Sequence, residues 1–376
     1  MNIGIVCYPT YGGSGVVATE LGKALAKMGH KVHFITYSQP TRLDFVNPNL
    51  YYHEVTINTY PLFEYPPYEL ALSGKIVDVV KYEKLDLLHV HYAIPHASAA
   101  YMARKILETE GIYIPFITTL HGTDITLVGR DPSYEPVVTF SINKSDGITA
   151  VSESLKKETL EHFNITKEIR VIPNFIDLDR FTKQKKEHFK KAICPNDEKL
   201  IIHTSNFRKV KRVEDVLMVF KNIREIMPVK LLLVGDGPER MIIENKCREL
   251  GTCDDIRFLG KLEHIEEILS VSDLFIMPSE KESFGLAALE AMACEVPVIS
   301  SDAGGLPELN LHGVTGFLSK VGDVEDMTKN ALHILQDEHL PKFKEAALNR
   351  AKDFSLEKVL PLYENYYQEI LVAQRV

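Results

Sequence analysis

The chain has 376 residues, 45% of them hydrophobic and 25% charged, with a formal net charge of −9. This length and composition fit a globular protein of two ordinary domains, and the acidic balance argues against a general nucleic-acid or anionic-membrane surface. No run of about 18 apolar residues marks a transmembrane helix, and the first residues read as a strand rather than a signal peptide, so a cytoplasmic protein is expected.

The first apolar run, Ile3 to Cys7, is followed by Gly13-x-Gly15-x-x-Ala18, which matches the dinucleotide-binding fingerprint G-x-G-x-x-G/A. A helix over Val16 to Met28 follows, with Val17, Leu21, Ala24, Leu25 and Met28 on one stripe. Two features speak against a nicotinamide or flavin enzyme. Tyr8 to Gly12 intervene between strand and first glycine, and "HFITYSQP" holds no acid where the ribose-binding one belongs. The small residues at a helix start still suit a phosphate or sugar ligand. Further strands read "VHFIT", "LDLLHVH", "FITTL", "GITAV" and "IRVIP", alternating with helical stretches. That alternation argues an α/β fold with a parallel sheet covered on both faces. His89 and His91 alternate on a strand, and no Cys, Asp or Glu joins them at ligand spacing, so no metal site is expected there. His96 reads as structural or as a helix start. His121, at the end of Phe116 to Leu120, reads as a hydrogen-bonding residue over a cleft, as does Asn174 in "VIPNFID".

A second series of strands, "KLIIHTS", "VKLLLVGDG", "IRFLG", "DLFIMPS" and "PVISSD", alternates with helices such as Val213 to Met227. The lysine-rich stretch Asp177 to Pro195 places a junction near Phe175 to Phe181. The expected organisation is therefore two doubly wound, Rossmann-like domains, 1–176 and 177–354, facing each other across a cleft. A last helix over about 355–376 returns to the first domain. The five cysteines, Cys7, Cys194, Cys247, Cys253 and Cys294, never form C-x-x-C and read as reduced, mostly buried thiols.

The second half carries most of the chemistry. In "EKESFGLAALEAMA", Gly285 to Met292 reads as a helix entered through Ser283-Phe284-Gly285. A helix N-terminus offers unpaired N–H groups and a positive dipole end to a phosphate. Glu282 before the helix and Glu290 on it can accept hydrogen bonds from sugar hydroxyls. The loop "HTSNFRKVKRVED" concentrates Arg208, Lys209, Lys211 and Arg212 after a strand, an anion-binding arrangement in an acidic protein. Arg208 and Lys211 suit a diphosphate leaving group whose charge grows in the transition state. "LLLVGDGPE" places Gly235 and Gly237 in a strand-to-helix turn, open to either a ligand or a structural role.

Taken together and in order, "GGSG", "HGTD", "NFRKVKR", "VGDGPE" and "ESFGLAALEAMA" resemble the retaining glycosyltransferases of family 4, with the GT-B fold, over essentially the whole chain. "CYPTYGGSGVVATELG", "YPPYELAL", "HVHYAIPHA", "TTLHGTDIT" and "SNFRKVKRVEDV" are similar to the members that move N-acetylglucosamine from UDP-N-acetylglucosamine to the hydroxyl of L-malate in bacillithiol biosynthesis. The resemblance implies catalytic roles for Arg208, Lys211, Glu282 and His121. It implies donor contacts from Gly13, Gly15, Gly235, Ser283, Phe284, Gly285 and Glu290, and acceptor contacts from Ser14, Tyr92, Thr118, Asn174 and Asn206. It implies no cofactor, no metal, no nucleic-acid partner and no stable membrane association, and is compatible with a homo-oligomer. Two positions depart from the pattern: Glu295 stands where a helix-ending glycine is expected, and Thr139 where close relatives carry an arginine. The alternatives are another small acceptor, such as an inositol phosphate or a sugar, and a nucleotide-sugar-binding protein without turnover.

Overall fold

The computed structural model describes every residue except 11, 45, 58–60, 62, 63, 185, 375 and 376. At residue 11 in the glycine loop and 185 in the lysine-rich stretch, the readings above lie outside the described residues. The chain divides into two compact units, Met1–Asn174 with Glu357–Val376, and Phe175–Leu356.

The first unit is built on seven parallel strands: β1 Asn2–Val6, β2 Lys31–Thr36, β3 Leu50–Glu54, β4 Leu87–His91, β5 Phe116–Leu120, β6 Gly147–Ala150 and β7 Arg170–Val171. Their order is β3-β2-β1-β4-β5-β6-β7. β4, β5 and β6 are buried along their whole length, as strands with helices on both faces must be. Helix α1, Ser14–Lys27, returns the chain from β1 to β2. It buries Val17, Leu21, Ala24 and Leu25 of the expected stripe, whereas Met28 falls just past the helix and is exposed. Gly22 lets α1 lie close on the sheet, since a Cβ there would come within 2.4 Å of the Phe34 ring. A core of Val90, Phe116, Leu72, Ala100 and Leu107 packs beneath the sheet.

The second unit repeats the plan with six parallel strands: β8 Lys199–Thr204, β9 Val229–Val234, β10 Ile256–Gly260, β11 Leu274–Met277, β12 Val298–Ser301 and β13 Gly316–Ser319. The order is β10-β9-β8-β11-β12-β13. The lysine-rich stretch after Asp177 is not a bare linker. It contains the helix Glu187–Ile193, Phe181 is buried, and Lys190 pairs with Asp273. Helix α2, Leu286–Ala293, lies where the sequence places one, shifted by a single residue. Helix α3, Leu356–Ala373, belongs to the first unit from Glu357 onward. Its Tyr363 and Tyr367 are fully buried there. The Tyr367 hydroxyl meets His89 Nδ1 at 2.7 Å, the Ile148 N–H donates to the Tyr366 hydroxyl at 3.0 Å, and Arg170 grips Glu369 through both guanidinium nitrogens.

Glu295, one residue beyond the cap of α2, adopts φ +62°, the left-handed region that favours glycine. Its carboxylate pairs with Lys183 at 2.8 Å on the surface, an interaction worth little in water. We expect Glu295→Gly to stabilise the second unit by about 0.5–1 kcal/mol, read as a higher urea midpoint. A lower midpoint would show that the surface pair outweighs the backbone strain.

Candidate active site

In each sheet the strand order turns back beside the first strand. β1 lies between β2 and β4, and β8 between β9 and β11. Chains leaving β1 and β4, or β8 and β11, depart toward opposite sides, and the crevice left at the carboxyl ends is where open α/β sheets bind ligands. The motifs singled out in the sequence emerge at these points, and each unit carries its own set.

In the first unit the glycine loop follows β1. Gly13 caps α1 with φ +60°, and among the described residues nothing lies within 4 Å of where its Cβ would be. Gly15 is confined instead: a Cβ there would meet Tyr8 O at 2.4 Å and Thr10 N at 2.9 Å, so glycine alone lets α1 start against the loop. Ser14 donates its hydroxyl hydrogen to the Tyr92 hydroxyl at 2.7 Å, joining the loop after β1 to the one after β4. Tyr92 holds φ +86°, a costly conformation for an aromatic residue. Asp124 braces it from the loop after β5, its Oδ2 accepting the Ala93 N–H at 2.7 Å. Burial pushes Asp124 up to about 6, against the opposing pull of the N–H groups of Ala93, Asp124, Gly122 and His121.

His121 follows β5, with its Nε2 2.8 Å from His91 Nδ1 and its ring centre 5.3 Å from that of Tyr92. Burial lowers His121 to about 3, so it is a neutral hydrogen-bonding ring near pH 7. His91 stacks on His89, whose two nitrogens are engaged by Tyr367 and Thr119. His96 is fully buried and bonds the His91 carbonyl through Nδ1, a structural role. The structure thus brings Ser14, Tyr92 and His121 together beside Gly13. It does not bring Thr118 to them: that side chain is fully buried within β5, its hydroxyl 2.7 Å from Ser145 Oγ. Asn174, nearly buried after β7, makes no hydrogen bond to the group among the described residues. Thr139 donates to Glu135 within its own helix, Arg130 is paired with Glu158, and Lys144 lies over the Phe140 ring.

In the second unit the loop after β8 carries Asn206 and Arg208 outward, while Phe207 between them is fully buried. Lys211 lies in a short 3-10 turn and donates to Glu282 Oε2 at 2.5 Å. The Glu280 N–H donates to the Val210 carbonyl at 2.8 Å. One main-chain bond and one ion pair therefore tie the loop after β8 to the loop after β11. Arg212 is turned away to Asp215, at 2.7 Å, so the four cations do not act as one cluster. Gly285, with φ +99°, caps α2, and the buried Phe284 packs edge-on to Phe354, fixing the Ser283-Phe284-Gly285 entry. Glu290 is partly exposed on the second turn of α2.

Four glycines, Gly235, Gly237, Gly304 and Gly305, make backbone meet backbone here. A Cβ at Gly235 would lie 1.8 Å from Ser205 O, and one at Gly237 1.9 Å from Asn206 O. What Gly235 admits is therefore the neighbouring loop of the protein itself. Gly304, which sequence reading passed over, would place a Cβ 2.0 Å from Glu282 O, and the Gly305 N–H donates to that same oxygen at 2.9 Å. The adjacent glycines in "DAGGLPE" were a visible signal, but their partner was not. Asp124 was missed likewise, standing in a quoted motif with no role until the fold placed it under Tyr92.

Two family models match the chain. Glycosyltransferase Family 4 covers residues 11–180 and Glycosyl transferases group 1 covers residues 184–353. The chain belongs to the glycosyltransferases of family 4 and is an enzyme of the GT-B fold. It is 49% identical, over 99% of its length and 97% of the relative's, to the N-acetyl-alpha-D-glucosaminyl L-malate synthase of Bacillus anthracis. It is 27% identical to an uncharacterized glycosyltransferase of Methanocaldococcus jannaschii over 92% of this chain and 90% of that one. Among solved structures it superposes on a sucrose-phosphate synthase from Thermosynechococcus elongatus with a TM-score of 0.81, at 21% identity, over 99% of this chain and 100% of that one. Anabaena Alr3699/HepE in complex with UDP and glucose gives a TM-score of 0.82 at 18% identity, over 98% of this chain and 99% of that one.

Because Asp124 is raised from an ordinary aspartate value near 3.8 to about 6, the folded state binds its proton more tightly than the unfolded state does. Its effect on stability is therefore most favourable below the unfolded value and is lost as pH rises through about 6. The wild-type protein should lose on the order of 3 kcal/mol relative to Asp124→Asn between about pH 4 and pH 7, measured by paired urea titrations. A difference independent of pH would show that Asp124 titrates normally.

Proposed function

We propose that this enzyme is a retaining glycosyltransferase that moves N-acetylglucosamine from UDP-N-acetylglucosamine to the hydroxyl of L-malate, the first step of bacillithiol biosynthesis, in the cytoplasm. The observation that carries the proposal is the 49% identity, across 99% of the chain, to the Bacillus anthracis protein named for that product. The grouping of Ser14, Tyr92 and His121 in the first unit, and of Lys211 with Glu282 in the second, supports it.

Arg208, held outward, and Lys211 bind the diphosphate of the donor, with the N–H groups of the Ser283-Phe284-Gly285 turn beside them. Lys211 enters the reaction with its charge already met by Glu282. An incoming diphosphate can share the lysine while Glu282 turns its other oxygen to the sugar hydroxyls. Glu290 takes the uridine ribose. In the first unit, the Ser14 and Tyr92 hydroxyls and the neutral His121 offer hydrogen bonds to the acceptor. The two glutamates are both engaged with donor hydroxyls. They therefore do not flank the scissile bond as a glycosidase pair would. The acceptor hydroxyl attacks the anomeric carbon on the face the diphosphate leaves, and the β-phosphate oxygen takes its proton. The protein contributes position and charge stabilisation, and no residue becomes covalently attached to the sugar.

One observation favours a different acceptor: Thr139 replaces an arginine expected among close relatives, and its hydroxyl is spent on Glu135. A UDP-release assay with UDP-N-acetylglucosamine separates the readings. L-malate should raise UDP release by about 100-fold or more, with D-malate and inositol phosphate far behind. Release only with a non-malate acceptor would replace the acceptor and keep the enzyme class. Arg208→Ala and Lys211→Ala should each lower kcat by about 10²–10³-fold with little change in thermal midpoint. Near-normal turnover in both would remove these residues from the diphosphate site.

A further inference from the structure

We propose that His33, His53 and Glu83 form a binding site for a divalent ion of the zinc type, which fastens the edge of the first sheet to the end of the helix Tyr68–Glu83. His33 lies on β2 and His53 on β3. The register pairs His33 with Tyr51 and Ile35 with His53. The two histidines are therefore two residues out of step and share one face of the sheet. His33 Nδ1 and His53 Nε2 are 2.9 Å apart, and a ligand atom from each of His33, His53 and Glu83 lies within 4.8 Å of the others. Two nitrogens on one tetrahedral zinc at about 2.0–2.1 Å stand roughly 3.3–3.4 Å apart. The imidazoles need to separate by only about half an ångström to share an ion.

The surroundings hold these groups in place without using them up. The Tyr51 ring stacks on His33 at 4.5 Å and 9°, fixing its plane. The other nitrogen of His33, Nε2, is buried without a partner among the described residues. The contrast with His89 and His203 is clear: in each of those, both ring nitrogens are engaged in a hydrogen-bonded network. Glu83 is the last residue of its helix, and Asn2 anchors its carbonyl at 3.1 Å. The carbonyl end of a helix favours a cation. Two nitrogens and one carboxylate, with a fourth position left for water, select zinc, cobalt, nickel or copper over magnesium and calcium, which take oxygen ligands.

Asn2 opens β1 and fixes the Glu83 end of the helix there, while His33 and His53 lie on β2 and β3 at the edge of the sheet, level with Gly4 and Val6 of β1. The loops bearing Ser14 and Tyr92 leave β1 and β4, further into the sheet. The ion therefore acts on the stability of the sheet edge and takes no part in sugar transfer. This inference stands independently of the acceptor assigned above.

The test uses the full chain, stripped with chelator and titrated with Zn²⁺ by calorimetry and with Co²⁺ by visible absorption. His53→Gln and Glu83→Gln, both at partly exposed positions, serve as comparisons. The expected result is one site of micromolar or tighter Kd. A rise of several degrees in thermal midpoint should accompany excess Zn²⁺, as should the intense Co²⁺ bands of a tetrahedral site. Each variant should bind at least tenfold more weakly while retaining UDP release. Absence of wild-type binding below about 1 mM, or unchanged binding in both variants, would overturn the proposal.

Discussion

Strand order turns back beside β1 and beside β8, and chains leaving neighbouring strands there must part to opposite faces of the sheet. Loops that part leave polar backbone and helix starts without partners, and the rest of the molecule is arranged around that constraint. In the first unit the gap is spanned by the Ser14–Tyr92 hydroxyl pair, and in the second by Lys211 with Glu282 and by the main-chain bond from Glu280 to Val210. These cross-links fasten each loop to its neighbour across the gap. They also explain why an acidic protein tolerates a cationic loop, since Lys211 and Arg212 each have a carboxylate within hydrogen-bond reach.

Two physical kinds of glycine recur in the loops at the carboxyl ends of the strands. Gly13 meets no other atom within 4 Å among the described residues, whereas Gly15, Gly235, Gly237, Gly304 and Gly305 face other stretches of backbone at distances no Cβ could occupy. The second kind builds a stack of loops, with the loop after β9 against that after β8, and the loop after β12 against that after β11. A glycine-rich motif in this fold is thus as much a joint between loops as a ligand cradle.

This division also marks how far the sequence could be read. The two α/β sheets, their alternating elements and the helix at Leu286–Ala293 were legible because hydrophobic period and helix-entry residues are local signals. The family was legible because its motifs keep their order along the chain. Thr118 was placed at a strand end by its motif, yet strand alternation aims it into the interior, at Ser145. The roles of Asp124 and Gly304 were invisible because each depends on a partner from another loop, Ala93 for one and Glu282 for the other. The lysine-rich stretch after Asp177 marked only a junction, because composition cannot show that Lys190 would find Asp273, 83 residues on. Glu295 was the reverse case: the sequence marked the missing glycine, and the backbone shows the strain.

The return of α3 to the first unit has a consequence for how the chain is made. Phe175–Leu356 is one unbroken segment, whereas the first unit is completed only by Glu357 onward. During synthesis from the amino terminus, the later-born unit has all its strands before the earlier one has its last helix. Until Tyr363 and Tyr367 arrive, His89 lacks its phenol partner and the first sheet lacks the two rings that α3 buries. The first unit is thus held unfinished until the helix beyond Glu357 emerges. A nascent chain carries a complete second unit before it carries a complete first one, and a cut before Glu357 strikes the part that was begun first.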